Sequence, residues 1–200
     1  MYRRAVVLVA VVAAMVCPTV VVGDAAKPIL QLALQRADMP ATMEMVQSPT
    51  LMNDSDSIAS LGPFGVREAA HYFYSWPIDG ASKTSSDSLP KGWRVSGEVY
   101  RASDESGAKR LFALGKSAGG LSSSYLGSGT KSLDVPPYGD EQFARVSSRS
   151  SLEMLVLVRK GTIVWEILVK PMLAFEPSEA QMVEVLKTYA AKQKARVGAR

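Results

Sequence analysis

The sequence predicts an α+β fold: a single antiparallel β-sheet of about five to six strands backed by two to three helices. Three observations carry this. Two segments near the middle alternate apolar and polar residues with the period of two that a sheet with one wet face requires. The last third holds three consecutive strand-like runs joined by short turns. Helical apolar stripes stand before, between and after these strands, which suggests helices laid on an antiparallel sheet.

The N-terminus comes first. Arg3 and Arg4 precede an apolar run, Ala5 to Val22, that closes at Gly23 before Asp24. A short positive region, an apolar stretch and a small-residue exit form the pattern of a secretory signal peptide, here residues 1–23. The run of 18 residues also nears the roughly 20 needed to span a bilayer, so an uncleaved anchor over residues 5–22 is the alternative. Pro18 and the small residues after it favour cleavage. Val16 stands where a bacterial lipobox has Gly, Ala or Ser, which argues against a lipid on Cys17. The expected location is secreted or extracytoplasmic, with membrane contact only through an uncleaved N-terminal segment.

After this segment, Ile29, Leu30, Ala33, Leu34 and Ala37 form one apolar stripe, which predicts a helix over 28–37. It should stop near Asp38, because Pro40 biases Met39 away from helical angles. Thr42 to Val46 reads as a short strand with Met43 and Met45 on one face, and residues 50–66 read as irregular. In 68–76, Ala70, Tyr72, Tyr74 and Trp76 share a face. In 93–101, Trp93, Val95, Gly97 and Val99 do so, opposed by Arg94, Ser96 and Glu98. Ser103 offers an N-cap with Asp104 and Glu105 in the first turn, opening a helix whose stripe is Ala108, Leu111, Phe112 and Gly115. Residues 117–139 follow as a long Gly/Ser/Pro loop, beyond the length of a plain connection. Strands 142–148, 152–159 and 162–170 form a meander turning at Lys160-Gly161. The middle strand is apolar at nearly every position, as a central strand covered on both sides should be. Ser178-x-x-Gln181 is a capping box, and Met182, Val183, Leu186, Tyr189 and Ala190 face inward from the closing helix.

Charge and cysteine content remove whole classes of function. The 200-residue chain has 23 basic and 19 acidic residues, and loss of Arg3 and Arg4 leaves 21 against 19. Much of the basic content sits at the end of the last helix, as Lys187, Lys192, Lys194, Arg196 and Arg200, where cations complement the helix dipole. A nucleic-acid partner is not indicated. Cys17 is the only cysteine, so the mature chain offers no thiol catalysis, cysteine–zinc site or disulfide framework. About 175 residues can bury one core without such staples, which gives one domain over 28–196.

Several short motifs are similar to a known group. Ala37-Asp38-Met39-Pro40 after a short helix resembles the opening of a family of uncharacterised exported bacterial proteins, of signal-peptide or lipoprotein type. The Val99-Tyr100-Arg101 strand entering an Ala/Lys helix, Gly139-Asp140-Glu141 and the Val158-Arg159-Lys160-Gly161 hairpin resemble their later segments. More distantly, such proteins resemble PsbP-like folds and the extracytoplasmic sensor domains of bacterial kinases. Ala41-Thr42 departs from the pattern, where Gly usually follows Pro. The resemblance implies an exported α+β domain and brings no catalytic residues.

The residues themselves supply little chemistry. His71 is the only histidine and shares a strand face with Ala69, Phe73 and Ser75. No serine stands in a nucleophile elbow, so a hydrolase built around His71 is an alternative that folding would have to assemble. Asn53-Asp54-Ser55-Asp56 lacks the glycine and distal glutamate of an EF-hand. Adjacent Asp140 and Glu141 would point to opposite faces of a strand. Met39, Met43, Met45 and Met52 suit core packing better than copper. No metal or other cofactor is expected. Tyr72, Tyr74, Trp76 and Trp93 form either a cross-strand core cluster or, if partly uncovered, a binding patch. Tyr125 stands out as an aromatic in the serine- and glycine-rich half of the long loop. These five are the candidate binding residues. The expected function is an exported, non-enzymatic domain binding a protein or small ligand in the cell envelope, with a carrier of apolar ligands as a further alternative.

The mature chain is expected to begin near Asp24. N-terminal sequencing of the exported protein checks this, and a return of Met1 would replace the secreted reading with a membrane anchor.

Overall fold

The computed structural model describes residues 26–52, 60–76, 92–121, 130–147, 152–172 and 176–198. The 1–23 segment, Asn53-Asp54-Ser55-Asp56 and Tyr125 lie outside the described residues.

Helix α1 (Ile29–Leu32) and a 3-10 turn (Arg36–Asp38) precede β1 (Glu44–Leu51), β2 (Val66–Ser75) and β3 (Trp93–Ala102). Helix α2 (Glu105–Ala118) leads to β4 (Thr130–Ser132), β5 (Glu141–Ser147), β6 (Glu153–Lys160) and β7 (Ile163–Pro171), and α3 (Glu179–Gly198) follows. The strands form one antiparallel sheet in the order β1-β2-β3-β7-β6-β5-β4. The α+β class and the meander are as expected, but the sheet has seven strands rather than five to six. The extra one is β4, inside the stretch read as loop. Thr130, Lys131 and Ser132 carry no apolar alternation; their pairing with Ser147, Val146 and Arg145 comes from the exposed edge of β5.

The first face of the sheet is packed under α1 and α3, and the second is covered at one end by α2, which corrects the expectation of one wholly wet face. On the first, α1 and α3 lie over Tyr72, Val95, Trp165, Val156 and their neighbours. On the second, Ala108, Leu111 and Phe112 of α2 pack on Tyr100, Leu157 and Val164. The alternation in β3 therefore breaks at its end, where Tyr100 and Ala102 are buried on the face that Arg94, Ser96 and Glu98 leave polar.

Local departures have tertiary causes. The helix expected over 28–37 ends at Leu32, because Ala33 is extended. Its carbonyls find other donors: the Gln193 amide takes Leu32 O, the Tyr74 hydroxyl takes Leu34 O, and the Gln35 amide takes Leu30 O and Ala33 O. Such bonds satisfy the backbone as a longer helix would. Asp104, not Ser103, caps α2 by accepting from Gly107 N at 2.7 Å. Met43 is buried in the turn just before β1, whereas Met45 within it is 46% exposed, so the two do not share a strand face as expected. The Ser178–Gln181 capping box forms as expected, with Ser178 N donating to Gln181 Oε1 and Gln181 N to Ser178 Oγ. The cations at the end of α3 are tied down: Arg196 pairs with Asp38, Lys192 donates to Asp38 O and Lys194 to Pro137 O. At the β6–β7 turn Gly161 takes φ 56°, a conformation that favours glycine.

Leu155 and Val156 are both fully buried and point to opposite faces of β6. Leu155→Asp and Val156→Asp should each cost about 3 kcal/mol or more, since each buries an unpaired carboxylate. Urea denaturation measures this; either variant lying within roughly 1 kcal/mol of wild type would show that β6 is not covered on both sides.

Candidate functional site

The aromatic cluster lies inside the first core. Tyr72, Tyr74, Trp76 and Trp93 are 1%, 0%, 3% and 0% exposed. Trp76 meets Trp93 edge to face with ring centroids 6.1 Å apart, and Tyr72 lies 6.0 Å from Tyr74. These rings are brought together, as the alternation implied, but they present no open surface. Their polar ends point to the protein: the Tyr72 hydroxyl donates to Gln193 Oε1 at 3.3 Å and Tyr74 to Leu34 O at 3.1 Å. Burial pushes the Tyr74 phenol up to about 12, with Asp38 adding to it, and raises Tyr72 well above its ordinary value. The methionines do not converge either. Met39 and Met43 are core, Met45 is exposed, and Met43 Sδ accepts from the Tyr189 hydroxyl. Among the described residues no three side chains are grouped to hold a metal ion.

The second face of the sheet, beside α2, collects the ionisable groups. Antiparallel register sets them in rows across the strands. His71 of β2 stands opposite Glu98 of β3, which stands opposite Glu166 of β7. One row further, Phe73 stands opposite Ser96, and Ser96 opposite Leu168. In the next row Ser75, Arg94 and Lys170 are neighbours, and Lys170 pairs with Glu153 of β6 at 2.7 Å. Arg94, Ser96, Glu98, His71, Phe73 and Lys170 are half-buried, while Glu166 is fully buried.

This arrangement is electrostatically expensive. Burial, followed by the neighbouring Glu166 carboxylate, pushes Glu98 up to about 8. Glu98 is thus largely protonated at neutral pH, and its carboxyl accepts from the Tyr100 hydroxyl. Glu166 accepts from Leu121 N at 2.7 Å, so the end of α2 is fastened to the sheet at this carboxylate. The Gln47 amide nitrogen contacts His71 Nε2. An amide nitrogen only donates, so the ring nitrogen accepts there. Among the described residues neither a serine hydroxyl nor a carboxylate hydrogen-bonds His71, and a nucleophile–base–acid relay is not assembled around it.

Sequence reasoning singled out His71 on this face and passed over Arg94, Glu98, Glu166 and Lys170. A signal was present at Glu166, a lone carboxylate inside the apolar run Ile163–Val169. The alternation of β3 places Arg94 and Glu98 on a wet face and carries no sign of their partial burial.

No protein-family model matches the chain, and no curated protein matches it. Among solved structures it is similar to the extracellular domain of PknH from Mycobacterium tuberculosis, at 10% identity and a TM-score of 0.43, over 80% of this chain and 93% of that one. It is also similar, at 10% identity and a TM-score of 0.42, to an uncharacterised protein from Mycobacterium smegmatis, over 83% of this chain and 96% of that one. Likeness at this level assigns neither a function nor a site.

The Glu98–Glu166 pair has a measurable consequence. Glu98 titrates at about 8 when folded against an ordinary 4.5. Between those values the folded state binds more protons than the unfolded state, so stability falls as pH rises and levels off above the folded value. The loss should be about 3–5 kcal/mol from roughly pH 5 to pH 9, at about 1.4 kcal/mol per unit. Glu98→Gln should flatten the profile and be the more stable protein at the alkaline end. Urea midpoints across this range test it; a wild type whose stability does not fall would refute the buried acid pair.

Proposed function

We propose that the chain is an exported, non-enzymatic domain that binds a protein or small ligand in the cell envelope, through the polar face of its sheet beside α2. The export rests on the signal pattern of residues 1–23. Among the described residues no helix is long and apolar enough to cross a membrane.

The observation that carries the site is the row His71–Glu98–Glu166 in the middle of the sheet. A sheet selected for stability alone gains nothing from two carboxyls placed opposite each other in the interior. Groups held away from their ordinary protonation cluster at functional positions. Binding suits this face better than catalysis, because His71 is engaged by Gln47 and, among the described residues, no hydroxyl hydrogen-bonds it for activation. The aromatic cluster fits the role of support: buried under α1 and α3, it stiffens β2 and β3, on whose other face the row stands.

Photocrosslinking in the native envelope tests the reading. A photoreactive residue at Ser96 or Gln47, both on the polar face, should give a discrete adduct. The same residue at exposed Leu114 on α2 serves as the control. Identical adducts from all three positions, or none from Ser96 and Gln47, would remove the site from this face.

A further inference from the structure

Among the described residues, the buried and half-buried arginines other than Arg94 each have an anionic acceptor or an aromatic ring against them. Arg101 pairs with Glu68 at 2.6 Å, Arg159 with Glu141 at 2.6 Å and Asp140 at 3.3 Å, and Arg196 with Asp38. Arg145 lies over the Phe143 ring, 4.4 Å from its centroid. Arg94 makes no ion pair among the described residues, and its Nε is buried without a hydrogen-bond partner. Its neighbour across β7 is another cation, Lys170, and the carboxylate nearest that neighbour, Glu153, is 2.7 Å from the lysine. Ser75, its neighbour across β2, turns its hydroxyl to Trp76 O. Two cations directly opposed in a ladder repel, and a desolvated guanidinium N–H with no acceptor costs as much as a lost charged hydrogen bond.

An anionic group supplied from outside removes both costs. The guanidinium fork matches the paired oxygens of a carboxylate or phosphate. The Ser96 hydroxyl, two residues along the same strand and on the same face, makes no hydrogen bond among the described residues and is placed to donate to such a group. We infer that Arg94, together with Lys170 and the Ser96 hydroxyl, binds one oxyanion, a carboxylate or a phosphate, carried by the ligand of this face. The inference rests on the binding role proposed above and names the chemistry its ligand must carry. Glu98 and Glu166, four residues further along β3 and β7, lie at the opposite end of the polar face. The anion therefore enters at the Arg94 end and its uncharged or donor-bearing remainder lies toward Glu98.

The mature exported protein is titrated with sodium phosphate, sodium acetate and sodium chloride at matched ionic strength, while the Arg94 Nε–H and Ser96 amide resonances are followed by NMR. A saturable shift with phosphate or acetate, absent with chloride, is expected. The stronger of the two distinguishes a phosphate-bearing from a carboxylate-bearing ligand. In Arg94→Gln the apparent affinity should fall at least tenfold, and in Arg67→Gln, an exposed control, it should not change. A drift equal to that in chloride, or a saturable shift that survives Arg94→Gln, overturns the oxyanion site. The Ser96 adduct is independent of this result: an adduct without an anion response removes the anion and leaves the face.

Discussion

The fold depends on one close approach, that of the Tyr72 ring to Gly97. These residues are direct neighbours across β2 and β3, and any side chain at Gly97 would collide with the Tyr72 hydroxyl and with Glu166 O. The absence of a Cβ lets the far end of the ring reach over β3 at Gly97. Its hydroxyl then reaches Gln193 in α3, whose amide holds the Leu32 carbonyl at the end of α1. Two strands and two helices are thus joined through one buried polar chain. A buried phenol and amide each need a partner, so the chain admits little slippage of α3 along the sheet.

Closing that face has consequences for the other. Residues alternate along a strand, so the register that sends Tyr72, Val95, Gly97 and Val99 toward α3 sends His71, Arg94, Ser96 and Glu98 the opposite way. Helix α2 covers one end of that second face with Leu111 and Phe112, and the Glu166 bond to Leu121 N marks where its cover is fastened. The polar rows are therefore held by a rigid sheet whose position is set on the reverse side. Groups mounted in this way keep a fixed spacing, which is what the proposed binding role requires.

Much of the architecture was legible. The strands of the meander, the stripe of α2, the Ser178–Gln181 cap and the two-sided burial of β6 follow from periodicity and capping chemistry, which act over a few residues. The failures share a cause. Ala33 leaves helical geometry because partners far along the chain, Gln193 and Tyr74, take the carbonyls around it. Met45 is exposed although it stands two positions from buried Met43, because Met43 lies in the turn before β1 and the two share no strand. β4 has no apolar signal of its own, since an edge strand is made by the neighbour it pairs with. The candidate site was less legible still: the aromatic residues were visible as a group, but whether a helix covers them is not written in their own strand.

The sequence by itself determined the α+β class, the order of most elements and the signal pattern at the N-terminus. Each of these depends on residue type and local spacing. Only the tertiary structure decided that α2 covers one end of the second face, that the aromatic face is core, and that Glu98 stands against Glu166 while Arg94 stands against Lys170. The physical reason is that burial and cross-strand pairing are properties of two segments at once. Glu98 and Glu166 are 68 positions apart in the sequence, and nothing in either strand alone states which residue of the other it will face.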